Sequence, residues 1–277
     1  MQRPLILHHN TALGTEPLEF IDIAAACRCE QVSLFTYSPE SGLPKENAGF
    51  RFNTVTAQTR GELQARLAEH GLSVSGIEFY PITETADIRS YQASLALGRE
   101  LGANRAVTLI FDADRGRALD RFGAFCELAQ EQALTVGLEF TPLTRGCPSL
   151  DAARWFIEQA GQSHAGIGLD MLHLIRSGGS AADVARLEPR YVSYAQLCDG
   201  HGLHRSSDYF DEPRNRELPG EGDFPLQDIL RALPAALALE VEVPSDKGRQ
   251  AGVPAIQHAM EAVRHARAVL AAAVPGG

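Results

Sequence analysis

The chain has 277 residues, 44% of them apolar and 22% charged, a balance that supports a packed core and excludes disordered or collagen-like classes. Its 25 Lys and Arg stand against 35 Asp and Glu, a net charge of −10, and no basic cluster offers a phosphate backbone a landing site, so no nucleic-acid partner is expected. No apolar run reaches the ~18 residues of a membrane helix and no basic-then-apolar leader opens the chain, so no membrane partner is expected; five cysteines without a Cys-x-x-Cys pair point to a reduced, cytoplasmic protein.

The predicted elements alternate. An apolar run over Pro4–His9 is followed by a helical pattern over Pro17–Cys29. Gln31–Thr36 then leads to Thr59–His70, which stops at Gly71 in a C-cap position. Ser73–Tyr80 precedes Ile88–Leu101, and Ala106–Phe111 precedes the long amphipathic Arg115–Ala133. Leu134–Phe140 precedes Ser149–Ala160, and Gly166–Asp170 precedes a short helix over Ser180–Leu187. Tyr191–Leu197 and Leu237–Val243 are the last strands, with helices over Pro225–Leu233 and Pro254–Ala273. Between Cys198 and Phe224 lie ~27 residues with little periodicity, a loop length that in compact domains usually carries function. Eight strand–helix units in this length predict an α/β fold, a single (β/α)8 TIM barrel spanning residues 1–277. No GxGxxG or GxxxxGK[ST] occurs, so no nucleotide cofactor is expected.

In such a barrel the active site sits at the C-terminal ends of the strands. Those ends carry Glu139 on the fifth strand, Asp170 on the sixth, Gln196 on the seventh, and Glu240 and Glu242 on the eighth. Carboxylates gathered at one mouth repel one another, and a divalent cation resolves that repulsion while supplying a Lewis acid. The oxygen-rich set of Glu139, Asp170, Gln196 and Glu242 favours Mg²⁺ or Mn²⁺, with Zn²⁺ or Co²⁺ as alternatives. Glu240 and Glu242 share a face by the strand period; Glu242, nearer the strand end, is preferred. His173, three residues after Asp170, is a candidate acid/base or hydroxyl anchor. Glu78, Arg105 and Arg216 are further candidates for substrate contact, Arg216 as a lid residue in the long loop. Cys198 reads as a small buried residue rather than a nucleophile.

Gly168-Leu-Asp170-Met-Leu-His173 with Arg176-Ser-Gly-Gly179, then Gln196-Leu-Cys-Asp199, Pro219-Gly-Glu-Gly-Asp223 and Glu242-Val-Pro resemble the xylose-isomerase-like TIM-barrel superfamily. That superfamily includes sugar phosphate isomerases and epimerases, inosose dehydratases and 3-dehydroshikimate dehydratases. The resemblance covers nearly the whole chain and implies that Glu139, Asp170, Gln196 and Glu242 hold the metal, with His173 beside it. The chain departs from the pattern in places. Many members carry His where Gln196 stands, a substitution that resembles some 3-dehydroshikimate dehydratases. Arg145, Gly202, Ser33, Thr141 and Cys198 replace residues that mark the better-known epimerases and dehydratases.

The expected chemistry is proton abstraction next to a carbonyl, with Glu139, Glu242 and His173 as the catalytic candidates. The leading expectation is a metal-dependent isomerase or epimerase of a small keto-sugar or polyol, phosphorylated or not. A metal-dependent dehydratase of a cyclic polyhydroxy ketone such as 3-dehydroshikimate or an inosose is the alternative, and a non-catalytic sugar-binding barrel the second alternative. The Ala- and Val-rich face of the last helix is a candidate for self-association into a homo-oligomer.

Overall fold

The structure is a computed structural model that describes residues 3–39, 52–206 and 210–273. Eight strands, β1 (Leu5–His8), β2 (Gln31–Phe35), β3 (Ser73–Ile82), β4 (Arg105–Ile110), β5 (Thr135–Glu139), β6 (Ala165–Asp170), β7 (Val192–Leu197) and β8 (Leu239–Val241), pair in parallel in chain order. Leu5 pairs with Leu239, so the sheet closes on itself. This is the expected (β/α)8 barrel. The outer layer holds α1 (Pro17–Ala26), α2 (Arg60–His70), α3 (Gln92–Glu100), α4 (Arg115–Glu131), α5 (Leu150–Ala160), α6 (Met171–Arg176), α7 (Ala181–Ala185), α8 (Leu226–Ala232), α9 (Asp246–Gln250) and α10 (Ala255–Ala273). No described helix is long and apolar enough to cross a membrane.

The outward faces of the strands and the inner faces of the helices form one continuous apolar core. The barrel interior is different: it is filled largely by polar and charged side chains. Tyr194 lies across it, and two glycines make the room. A Cβ on Gly137 or on Gly168 would fall 2.5 Å from the Tyr194 ring. Arg105 stacks over that ring at 4.0 Å and is paired with Glu240, which also accepts from Ser33 Oγ at 2.6 Å. These groups form a polar floor beneath the mouth. Strand β3 carries one extra residue there: Ile77 pairs with Ala106, but Tyr80 pairs with Thr108. The irregularity lets the consecutive residues Glu78 and Phe79 both line the mouth, while Tyr80 turns outward to Thr36.

Differences from the sequence reading are local. Met171–Arg176, given no element in the sequence reading, is a helix; Ser245 caps a further short helix, α9. Tyr191 closes a 3-10 turn rather than opening β7. Strand β8 is shorter than expected, though Glu242 N–H still donates to Leu197 O at 3.2 Å. Residues 207–209 of the long loop lie outside the described residues. All five cysteines are buried and free, and burial pushes the Cys198 thiol far up.

His9, just after β1, stacks on Phe20 with ring centroids 4.4 Å apart and donates from Nε2 to Thr15 O at 3.1 Å. Burial pulls its pKa down from 6.5 to about 4, against that hydrogen bond. A ring kept neutral in the fold but protonated when unfolded adds stability above pH 6.5, and this is lost as pH falls toward about 4. His9→Gln keeps a donor for Thr15 and cannot titrate. Its urea midpoint is expected to fall less between pH 7 and pH 4 than the wild type's. At pH 5 the wild type should take up about one proton more on unfolding than the variant does.

Candidate active site

Each strand end delivers its side chain by alternation. Glu139, Asp170 and Glu242, from β5, β6 and the end of β8, converge at the mouth with His173, His8 and Asn10. The link between Asp170 and His173 is a helix cap. Asp170 is the N-cap of α6, and its Oδ1 accepts the backbone N–H of His173 at 2.9 Å. The three-residue spacing therefore fixes both side chains on one side of the mouth. His173 Nε2 lies 3.2 Å from Glu139 Oε1, and Glu139 Oε2 accepts from Tyr194 OH at 3.1 Å. Asn10 Nδ2 donates to Glu242 Oε1 at 2.9 Å, and His8 Nε2 donates to Glu78 Oε2 at 2.7 Å.

The cation among these carboxylates is Arg216. Its Nη1 lies 2.5 Å from Asp170 Oδ2 and 3.1 Å from Glu242 Oε2, with the guanidinium buried. Arg216 comes from the long loop, which is anchored on both sides. Asp199 bridges to Glu217, and its carboxylate accepts from Gly200, Gly220 and Phe224 N–H at 2.8–3.0 Å. Arg176, fully buried, donates to the carbonyls of His201, Gly202 and His204 and pairs with Glu212. Neither anchor was assigned a role from sequence. Both lie inside the quoted motifs, and the signal that marks them is a charged residue in an apolar or glycine-rich setting.

Ionisation follows from burial and these pairs. Burial raises Glu139 above the usual carboxylate range, against the hydrogen bond from His173. Burial pulls His173 down, but Asp170 and Glu139 outweigh it and the net shift is upward. Burial pushes Asp170 up, and Arg216 with His173 more than reverse it. Both members of the Glu139–His173 pair are therefore shifted upward, Glu139 by burial and His173 by its two carboxylate neighbours.

Among the described residues, two clusters bring ligating atoms within 4.8 Å of one another: Glu139, Asp170 and His173 at the mouth, and His8, Glu78 and Glu240 deeper in. Gln196 belongs to the deeper level. Its Nε2 donates to Glu240 Oε2 at 3.4 Å, while its Oε1 is buried without a partner. Arg105, expected to reach substrate, does not line the mouth; its guanidinium is held on the floor by Glu240 and Tyr194. Burial pushes Glu240 up to about 7, against Arg105. Glu78, Glu139, His173, Arg216 and Glu242 all line one open cavity with about 680 Å³ of empty space.

A family model described as a xylose isomerase-like TIM barrel matches residues 21–271. No curated protein gives a significant match. Among solved structures, a fusion of a xylose isomerase-like TIM barrel with a 4-hydroxyphenylpyruvate dioxygenase is similar at 18% identity and TM-score 0.78; 96% of this chain is covered, but only 42% of that one. The IolI protein, solved with a bound zinc atom, is similar over 100% of both chains at 13% identity and TM-score 0.80. A probable 3-dehydroshikimate dehydratase, AsbF of Bacillus anthracis, covers 92% of this chain and 97% of its own at 17% identity and TM-score 0.70. A D-psicose 3-epimerase of Clostridium cellulolyticum H10 covers 98% and 99% at 13% identity and TM-score 0.69. At these identities the likeness is one of fold.

Arg216→Ala leaves two buried carboxylates without their guanidinium. In metal-free buffer the variant should lose about 3–5 kcal/mol in urea unfolding, the usual cost of removing one partner of a buried pair. Arg216→Lys should lose less. The deficit of Arg216→Ala should shrink as the pH is lowered and Asp170 is protonated.

Proposed function

The chain belongs to the xylose isomerase-like TIM-barrel family, and from that premise we propose a divalent-metal-dependent isomerase or epimerase that acts on a small hydroxy-ketone of the keto-sugar or polyol class. The observation that carries this reading is the Glu139–His173 pair, 3.2 Å apart, buried, and set beside two further carboxylates that already hold a cation. A divalent cation fits these donors. Asp170 and Glu242 are drawn onto one positive group, Glu139 lies alongside, and Gln196 Oε1 is a buried acceptor without a donor. Hard oxygen donors favour Mn²⁺ or Mg²⁺. When bound, such a cation supplies a Lewis acid for the substrate's oxygens and offsets the charge that proton abstraction leaves on them.

The chain's own residues do the rest. Glu139 takes the proton from the carbon next to the carbonyl, and His173 at Nε2 accepts or returns it. Return to the neighbouring carbon isomerises the substrate; return to the opposite face epimerises it. Glu242, held by Asn10, is the second carboxylate for that return. Arg216 and Glu78 border the same cavity and contact the substrate's remaining oxygens. A second reading, dehydration of a cyclic polyhydroxy ketone, is favoured by Gln196 and by the same pair, which can hand its proton to a leaving β-hydroxyl.

The test is exchange in D₂O, with protein equilibrated in Mn²⁺ or Mg²⁺, against keto-sugars and 3-dehydroshikimate. Deuterium should enter at the carbon next to the carbonyl, and Glu139→Gln should slow it by about 10²–10⁴-fold. A rising ultraviolet enone or aromatic absorbance would select dehydration. If no substrate in the panel exchanges with either metal, the reading as an enzyme of keto-sugars or cyclic polyhydroxy ketones is wrong.

A further inference from the structure

The mouth of the barrel is divided in two. Strands β5, β6 and β8, with the end of β1, supply Glu139, Asp170, Glu242, His173, His8 and Asn10. The facing half comes from β2, β3 and β4. There Phe35, Phe79, Leu109 and Phe111 line the cavity, joined by Phe52 and Leu143 from the loops. Strand β4 places Val107 and Leu109 at alternate positions, with Phe111 just past its end, so it sends nothing polar to the mouth. Val107, Leu109 and Tyr194 form an apolar cluster separate from the main core, with Phe79 and Phe111 packed on it. The wall is braced by ring contacts, Phe35 to Phe52 at 4.7 Å and Phe52 to Phe79 at 5.6 Å between centroids. Glu78, the one carboxylate from these strands, is turned to His8 and belongs to the polar half.

A polyol laid across this cavity would turn several hydroxyls against phenyl rings. Among the described residues of this wall, each would give up water without gaining a partner, at a cost of roughly tenfold or more in affinity. A hydrocarbon or aromatic portion would instead be drawn there from water. We propose that the substrate is an amphipathic α-hydroxy ketone: its oxygen-bearing end faces Glu139, Asp170 and Glu242, and its other end is an aromatic ring or a branched hydrocarbon held by Phe35, Phe79, Leu109 and Phe111. This rests on the reading of the polar half as a site for chemistry next to a carbonyl. It narrows the substrate class away from sugars that are hydroxylated along their whole length.

Two probes share one reacting end and differ at the other. 2-Hydroxyacetophenone and dihydroxyacetone both carry a CO–CH₂OH group; one ends in a phenyl ring, the other in a hydroxymethyl. Their binding to Mn²⁺-equilibrated protein is measured by calorimetry, with acetophenone as the control that lacks the hydroxyl. The expected result is binding of 2-hydroxyacetophenone at least about tenfold tighter than either. Phe79→Ser and Phe111→Ser, checked for fold by circular dichroism, should each cut that preference severalfold. Equal binding of the two hydroxy-ketones, or preference for dihydroxyacetone, overturns the proposal and leaves the proposed reaction standing. Acetophenone binding as tightly as 2-hydroxyacetophenone overturns the reading of the polar half, and the proposal with it. Failure of all three to bind contradicts both.

Discussion

Five carboxylates are buried inside one barrel, and their neutralisation organises everything at its mouth. Glu78, Glu139, Asp170, Glu240 and Glu242 each lose water on folding, and none would be tolerated there uncompensated. Two guanidinium groups and two imidazoles answer them. Arg105 takes Glu240 on the floor, Arg216 takes Asp170 and Glu242, His8 takes Glu78, and His173 takes Glu139. The floor is set by packing: Tyr194 and Arg105 fit because Gly137 and Gly168 leave space where a methyl group would collide with the ring. The mouth is set by two parts outside the strands, the cap of α6 and the long loop.

Those two parts explain how a stable scaffold carries a charged site. The N-cap bond from His173 N–H to Asp170 is a local interaction, and it orients both side chains within one helical turn. The loop is different, because Arg216 is brought in from a segment whose described residues form only a 3-10 turn and isolated bridges. Asp199 and Arg176 hold it by donating to or accepting from the loop's backbone. A divalent ion bound at Asp170 and Glu242, as proposed, would require this anchored loop to yield one side chain.

The fold was legible because its signal is repeated: eight apolar runs separated by helical periods leave few alternatives. The candidate residues Glu139, Asp170, His173 and Glu242 were legible because strand ends in a barrel all point to one place. What sequence did not reveal depends on distance and depth. Nothing in the order of residues says that Arg105 and Glu240, 135 positions apart, would pair on the floor and take Arg105 away from the mouth. Glu78 and Phe79 face the same cavity only because of an irregularity in β3 that alternation does not foresee. The short helix α6 was hidden by its brevity, since six residues give no readable period. The apolar wall of β2–β4 was hidden among ordinary strand residues; only closure of the barrel sets it opposite the carboxylates.

The proposed function requires a divalent cation at carboxylates that the Arg216 guanidinium holds in this structure. The most direct measurement is a crystal structure of the protein equilibrated with Mn²⁺, with anomalous scattering to locate the metal. The account predicts one manganese within bonding distance of Glu139, Asp170 and Glu242, and the Arg216 guanidinium withdrawn from Asp170. Arg216 still paired with Asp170 and Glu242 at saturating Mn²⁺, with no anomalous peak among them, would contradict it.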